Sequence, residues 1–354
     1  MTETELKNLL KTVAPPDEAA RAAAHAHWAA LAKPLGGLGQ FETMVEAAAA
    51  LTGDPAPDFT RRAVLVLCAD NGVVAQGVSQ TDASVTRAVL ENLTARRTSV
   101  CCMAAAAHCE VVPVDMGIAG VPVPGAVDRR VAPGTRDFTQ GPAMTREQAV
   151  QAIAAGIELV RTQKQNGVRL LATGEMGIGN TTTSAAVTAA LTGAAAAAVT
   201  GRGAGLSTAG LERKIAVIEA ALALHKPDSN DSIDVLHKVG GLDIAGLCGL
   251  YLGAAAQRIP VVLDGVISCA AALLAVRLCP QSVHFMVAAH RSDEPASILL
   301  LDALGKRPFL TAGMHLGEGT GAAAGVALLD LALAPYREMV SFADIGIEAY
   351  QPQK

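Results

Sequence analysis

Five apolar runs of strand length, residues 63–69, 110–116, 168–172, 259–263 and 283–287, are separated by connections long enough to contain helices. Strands joined by such connections cannot form tight hairpins. They pair in parallel, and a parallel sheet needs helices over both faces. The pattern predicts an α/β chain with a mainly parallel sheet. Asp17–Ala32 and Phe41–Leu51 read as helices broken by Lys33-Pro34-Leu35-Gly36-Gly37-Leu38-Gly39. Residues 118–142, rich in Pro and Gly, predict an irregular excursion. The chain turns helical again from about 318 and is expected to return to the N-terminal helices. This gives a small helical domain from residues 1–60 with about 330–354, and a large α/β domain over 61–329.

Aromatic residues are only 3% of the 354 positions while 51% are hydrophobic, so the core must rely on close contact of small side chains. The net charge of −5, with no long basic run, excludes a nucleic-acid partner. The seven cysteines show neither a C-x-x-C pair nor zinc spacing and are expected as buried, reduced thiols. The start lacks a basic and apolar leader, and the uncharged stretch 176–201 is broken by Gly, Asn, Thr and Ser. That stretch reads as a buried helix of small residues, and the protein as cytoplasmic, without a membrane partner.

Chemistry gathers where apolar runs end. Gly174-Glu175-Met176-Gly177-Ile178-Gly179-Asn180-Thr181-Thr182 follows the run at 168–172 and opens an Ala/Thr-rich helix. Glycines free the backbone there, and a helix N-terminus offers N–H groups to an anion, so Glu175 reads as an acid inside an anion-binding loop. His315-Leu316-Gly317-Glu318-Gly319-Thr320-Gly321 repeats that logic before a second small-residue helix. In a poorly solvated pocket Glu318 could be a general base; equally, it could be an acid favoured at a helix start. Asp70-Asn71-Gly72, Asp264-Gly265 and His290-Arg291-Ser292-Asp293-Glu294 end other runs, and such turns converge at the carboxyl edge of a parallel sheet. Gly201-Arg202-Gly203-Ala204-Gly205 lacks the spacing of a dinucleotide fingerprint, and no Walker sequence occurs. The eight histidines form no metal-binding pair, and Lys214 alone reads as a solvated helical lysine.

Taken together, Lys33-Pro34-x-Gly36-x-Leu38-Gly39, Ala69-Asp70-Asn71-Gly72-Val73 with Gly77-Val78-Ser79, Gly174–Thr182, Val239-Gly240-Gly241, Leu263-Asp264-Gly265 and Gly317-Glu318-Gly319 resemble the nicotinate-nucleotide–dimethylbenzimidazole phosphoribosyltransferases over roughly residues 5–345. The resemblance implies a Rossmann-like sheet with a small helical domain, a homodimer, and neither cofactor nor metal. It implies transfer of ribose 5-phosphate from nicotinate mononucleotide to 5,6-dimethylbenzimidazole with inversion at the anomeric carbon. Glu318 would be the base, with Glu175 and Lys214 as supporting residues. Gly174, Gly177, Gly179, Asn180, Thr181, Gly203, Ser292, Gly317 and Gly319 would hold the nucleotide. Asn71, Thr81, Val89 and Met176 would meet the acceptor. Val89 and Met176 offer that acceptor no hydrogen bond, which leaves other benzimidazoles, adenine or a phenol open. So is a non-catalytic, nucleotide-binding protein of the same fold.

Overall fold

The computed structural model describes residues 1–351. Six strands, β1 (Arg62–Ala69), β2 (Glu110–Gly117), β3 (Val127–Asp128), β4 (Leu170–Met176), β5 (Val261–Leu263) and β6 (Met286–Ala288), make one sheet. Its order is β3-β2-β1-β4-β5-β6 and every pair is parallel. The order reverses between β1 and β4. Ligands of doubly wound sheets bind beyond the strand ends at such a reversal.

Among the described residues fourteen α-helices accompany the sheet. They are α1 (Glu3–Leu10), α2 (Glu18–Ala30), α3 (Gln40–Thr52), α4 (Ser84–Thr94), α5 (Ser99–Ala106), α6 (Arg146–Gln165) and α7 (Asn180–Thr192), then α8 (Ala196–Val199), α9 (Thr208–His225), α10 (Ser232–Val239), α11 (Leu242–Gln257), α12 (Val266–Leu278), α13 (Ala296–Ala303) and α14 (Thr320–Glu338). The two-residue period of β1 divides the core. Ala63, Leu65, Leu67 and Ala69 pack with residues of α6, α7, α11 and α12, whereas Val64, Val66 and Cys68 pack with α2, α3, α5 and α14.

Small residues set the layer spacing. A Cβ on Gly156 of α6 would lie 2.0 Å from the carbonyl oxygen of Gly246 on α11, and one on Gly249 would lie 1.9 Å from that of Ile153. These backbones touch, so larger side chains have no room and the scarcity of aromatics follows. The single Trp28 is buried on α2 and meets Tyr336 of α14 edge-on, with ring centroids 4.8 Å apart. The Tyr336 hydroxyl donates to the Pro55 carbonyl. At the N-terminus, α1 goes elsewhere: Leu6 enters the α6–α11 side of the core, and Arg146 of α6 binds Glu3 at 3.0 Å.

Several expected boundaries move. Gly174, Glu175 and Met176 belong to β4 and not to a loop, because β4 is central and its pairing with β1 continues to Cys68 opposite Met176. The run at 283–287 is mostly a 3-10 turn, Pro280–Phe285, ahead of the short β6. Pro280 leads that turn with its fixed φ and missing N–H. The excursion at 118–142 contributes β3, and 176–201 holds two helices because Gly193, at φ 72°, ends α7 in a left-handed cap. Cys102 is exposed and Cys109 half-buried, against the expectation for all seven thiols: α5 buries Val100, Cys101 and Ala104 instead of Cys102, and Cys109 lies in the turn between α5 and β2. Among the described residues no helix is long and apolar enough to cross a membrane.

Candidate active site

The carboxyl edge of the sheet collects the polar side chains expected to converge. Leu67 lies opposite Glu175 in the β1–β4 ladder, so Glu175 emerges at the reversal of strand order. Successive β4 residues face opposite sides. Thr173 bonds Tyr251 and Ser268 beneath α11 and α12, and Gly174 faces the loop before α14. Glu175 turns back to the first side, where Asn180 donates to its Oε2 and, at 3.0 Å, to Oδ2 of Asp243. Both acids are buried. Burial, followed by the charges of Asp243 and Asp264, pushes Glu175 up to about 8. Burial likewise pushes Asp243 up to about 6, against its hydrogen bonds from Asn180 and Ile244. Two adjacent buried carboxylates cannot both ionise cheaply, and Asn180 is their shared donor.

Gly177 and Asn71 complete this network. A Cβ on Gly177 would lie 2.6 Å from the Ala69 carbonyl oxygen and 3.0 Å from Asp243 Oδ2, so only glycine lets these segments meet. Asn71 is buried and accepts from Thr183 at 3.3 Å. It serves the network between β1 and α7.

Glu318 is placed in another way. Gly317, Glu318 and Gly319 have φ of 84°, 60° and 95°, three left-handed residues in succession. A Cβ on Gly174 would lie 2.2 Å from the Glu318 carbonyl oxygen, and one on Gly317 would lie 2.6 Å from Glu175 Oε1. The glycines of each acidic segment therefore make room for the other. The Glu318 carboxyl is shifted upward by burial and the Asp264 charge, opposed by the Val100 N–H. Its Oε2 is buried without a hydrogen-bond partner. A carboxylate oxygen without a hydrogen-bond partner is suited to take a proton.

A third cluster sits at the N-terminus of α7. Gly179, at φ 91°, precedes the helix without a side-chain cap, and Asn180 and Thr181 form its first turn. Lys214 of α9 is fully buried; its Nζ donates to Thr181 Oγ1 at 2.9 Å and to the Gly201 carbonyl at 3.1 Å. The solvated lysine expected from its position alone is thus corrected, because α9 packs that side against α7 and the 200–203 segment. Burial lowers Lys214 to about 8, opposed by Glu294, which also accepts the Gly203 N–H at 3.0 Å. Ser292 is buried beside Gly265. A cation and glycine backbone beside a helix N-terminus without a side-chain cap together make an anion site.

The four acceptor positions are divided. Val89 and Met176 both pack against the cluster on the α14 face, the same side as Glu318. Asn71 lies in the network on the other face. Thr81 is exposed, and the neighbouring Gln80 reaches the Ala204 carbonyl at 3.1 Å, which ties that loop to the Lys214 side. Asp243 was not anticipated, its only sequence signal being its place at a helix start; Asp264 and Glu294 were expected only as parts of converging strand-end turns, with no individual role. A cavity of about 1170 Å³ lies elsewhere, between α2, α3 and residues 305–309, away from both glutamates. Among the described residues no group of three or more His, Cys, Asp or Glu side chains is placed to hold a metal ion.

A family model described as phosphoribosyltransferase matches residues 13–347. A nicotinate-nucleotide–dimethylbenzimidazole phosphoribosyltransferase of Acetivibrio thermocellus is 47% identical over 91% of this chain and 92% of its own length. One from Roseiflexus sp. is 47% identical over 97% and 98%. The crystal structure of CobT from Thermus thermophilus superposes with a TM-score of 0.89 at 40% identity, covering 94% of this chain and all of that one. The motif order, the sheet order and these matches agree, and the chain belongs to the nicotinate-nucleotide–dimethylbenzimidazole phosphoribosyltransferase family.

Proposed function

We propose that the protein moves ribose 5-phosphate from nicotinate mononucleotide to 5,6-dimethylbenzimidazole, giving α-ribazole 5′-phosphate and nicotinate. The observation that carries the assignment of roles is the unpaired, buried Oε2 of Glu318, on the same side of β4 as the apolar wall of Val89 and Met176. The cationic cluster of Lys214, Thr181 and Gly203 stands on the other side.

In the donor, C1′ is bonded to a pyridinium nitrogen. That bond breaks with its electron pair returning to the ring, so nicotinate leaves without a general acid. One ring nitrogen of the benzimidazole attacks C1′ from the opposite face, and the proton on its other nitrogen passes to Glu318. A single displacement inverts the anomeric centre. The sugar carries a monophosphate and not a pyrophosphate, so the reaction has no leaving group that calls for magnesium. Lys214 and the α7 N-terminus hold the phosphate.

Glu175 contributes differently. Raised to about 8, it is mostly neutral at pH 7 while the site is empty. A cationic pyridinium or a positive charge developing at C1′ favours its ionisation, so its negative charge appears when the substrate needs it. The homodimer is part of this reading and is tested by light scattering. The reaction is tested by incubating the protein with nicotinate mononucleotide and mixed acceptors (dimethylbenzimidazole, adenine, a phenol) and identifying products by mass. Nicotinate with α-ribazole 5′-phosphate is expected; donor binding without nicotinate release would overturn the reading.

A further inference from the structure

We infer that Asp264 is the positioning residue of the base, reaching from the end of β5 to fix the peptide unit that carries Glu318; this rests on Glu318 being the base. Left-handed φ at a residue with a Cβ must be held by its surroundings, and Glu318 lies at 60°. The helix that follows does not hold it, because Gly319 precedes α14 without a side-chain cap. Asp264 supplies the missing acceptors from a distant part of the chain. Its Oδ2 accepts from Gly319 N–H at 3.1 Å and its Oδ1 from Ala322 N–H at 3.0 Å.

The first bond is the informative one. Gly319 N–H belongs to the same peptide as the Glu318 carbonyl, and that carbonyl oxygen rests against Gly174. The peptide is therefore held at both edges, by a carboxylate on one and by a glycine without a Cβ on the other. Thr320 Oγ1 donates to the Gly317 carbonyl at 2.8 Å and closes the turn locally. Asp264 itself is confined: it is 2% exposed, His290 Nε2 lies 3.7 Å from its Oδ1, and a Cβ on Gly321 would strike His290 at 2.0 Å. A helix cap alone would need only the bond to Ala322. The bond to Gly319 aims the base.

The same carboxylate also bears on proton uptake. Glu318 feels Asp264, and the titratable groups around the pair are Glu175 on β4, Asp243 and Tyr251 on α11, Cys68 on β1, Cys269 on α12 and His290 beyond β6. Asp264→Asn keeps the shape, loses one acceptor oxygen and removes the charge. We expect amide exchange at Gly319 and Ala322 to accelerate about tenfold or more, and kcat to fall about 10- to 100-fold. The KM for nicotinate mononucleotide should stay within about twofold, since the Lys214 cluster does not touch Asp264. The acid limb of the kcat profile should move to lower pH, an effect that loss of a purely structural cap would not produce. Asp264→Ser, with a single oxygen, takes the same readouts should Asp264→Asn fail to fold. Unchanged exchange at both amides, or unchanged kcat and pH profile, overturns the inference. Wild-type turnover in Glu318→Gln would instead overturn the base assignment, while the exchange result still reports on the turn.

Discussion

The segments around Glu175 and Glu318 look alike in sequence, an acid among glycines ahead of a small-residue helix, but the molecule uses them in opposite ways. Glu175 is in regular strand, with its side chain bonded to Asn180 beside a second acid. Glu318 is in a left-handed turn with one carboxylate oxygen lacking any partner. The local composition is common to both; the difference comes from what stands beside them. A paired acid is held in place, whereas an unpaired one is available for proton transfer.

The sharpest test of that difference is Glu318→Gln. Removing a general base lowers kcat about 10²- to 10⁴-fold, with KM for the donor little changed. In the native enzyme the acid limb of the kcat profile should lie above the ordinary glutamate value, because burial and Asp264 raise this carboxyl and the base works only when deprotonated. A limb at the ordinary value would contradict the placement. Next in size is Lys214→Met, which removes the cation from the phosphate cluster and should raise KM for nicotinate mononucleotide about 10- to 100-fold. A fall in kcat alone would instead place Lys214 nearer the reacting carbon.

Smaller effects examine how the two segments touch. Gly174→Ala places a Cβ 2.2 Å from the Glu318 carbonyl oxygen and should cost about 1–3 kcal/mol in thermal unfolding, with loss of turnover as Glu318 shifts. Retained activity and Tm would show that the turn yields freely. Glu175→Gln is read separately, as stability against pH. The folded protein keeps the Glu175 proton up to about 8 while the unfolded chain releases it near 4.5, so this group makes native stability fall as pH rises between those values. The variant should gain Tm relative to the native protein on moving from pH 5 to pH 8. A constant difference would mean that Glu175 is ionised throughout.

Much of the fold was legible because parallel strands buried on both faces must be apolar along their whole length. β1 and β2 were located within a residue or so at each end. β6 was not, since a three-residue strand at a sheet edge carries too short a pattern to separate from the Pro280 turn before it. In the site, the glycines announced themselves, as no other residue permits backbones this close. Lys214 did not: its helix shows ordinary solvated neighbours, Glu212 and Arg213, and its burial depends on α7 and Gly201 arriving from elsewhere. The expected acceptor set of Asn71, Thr81, Val89 and Met176 was divided for the same reason, because Asn71 lies in the network on the other face and Thr81 follows a loop tied to Ala204.

The sequence by itself determined the layers, the glycine-lined strand ends and the presence of two acids near them, because hydrophobic period, helix starts and turn chemistry act over a few residues. Tertiary structure alone decided which acid is paired and which is free. Asp243 and Asp264, whose charges raise Glu175 and Glu318, lie 68 and 54 residues from them. Their effect depends on burial, which only the assembled sheet and helices provide.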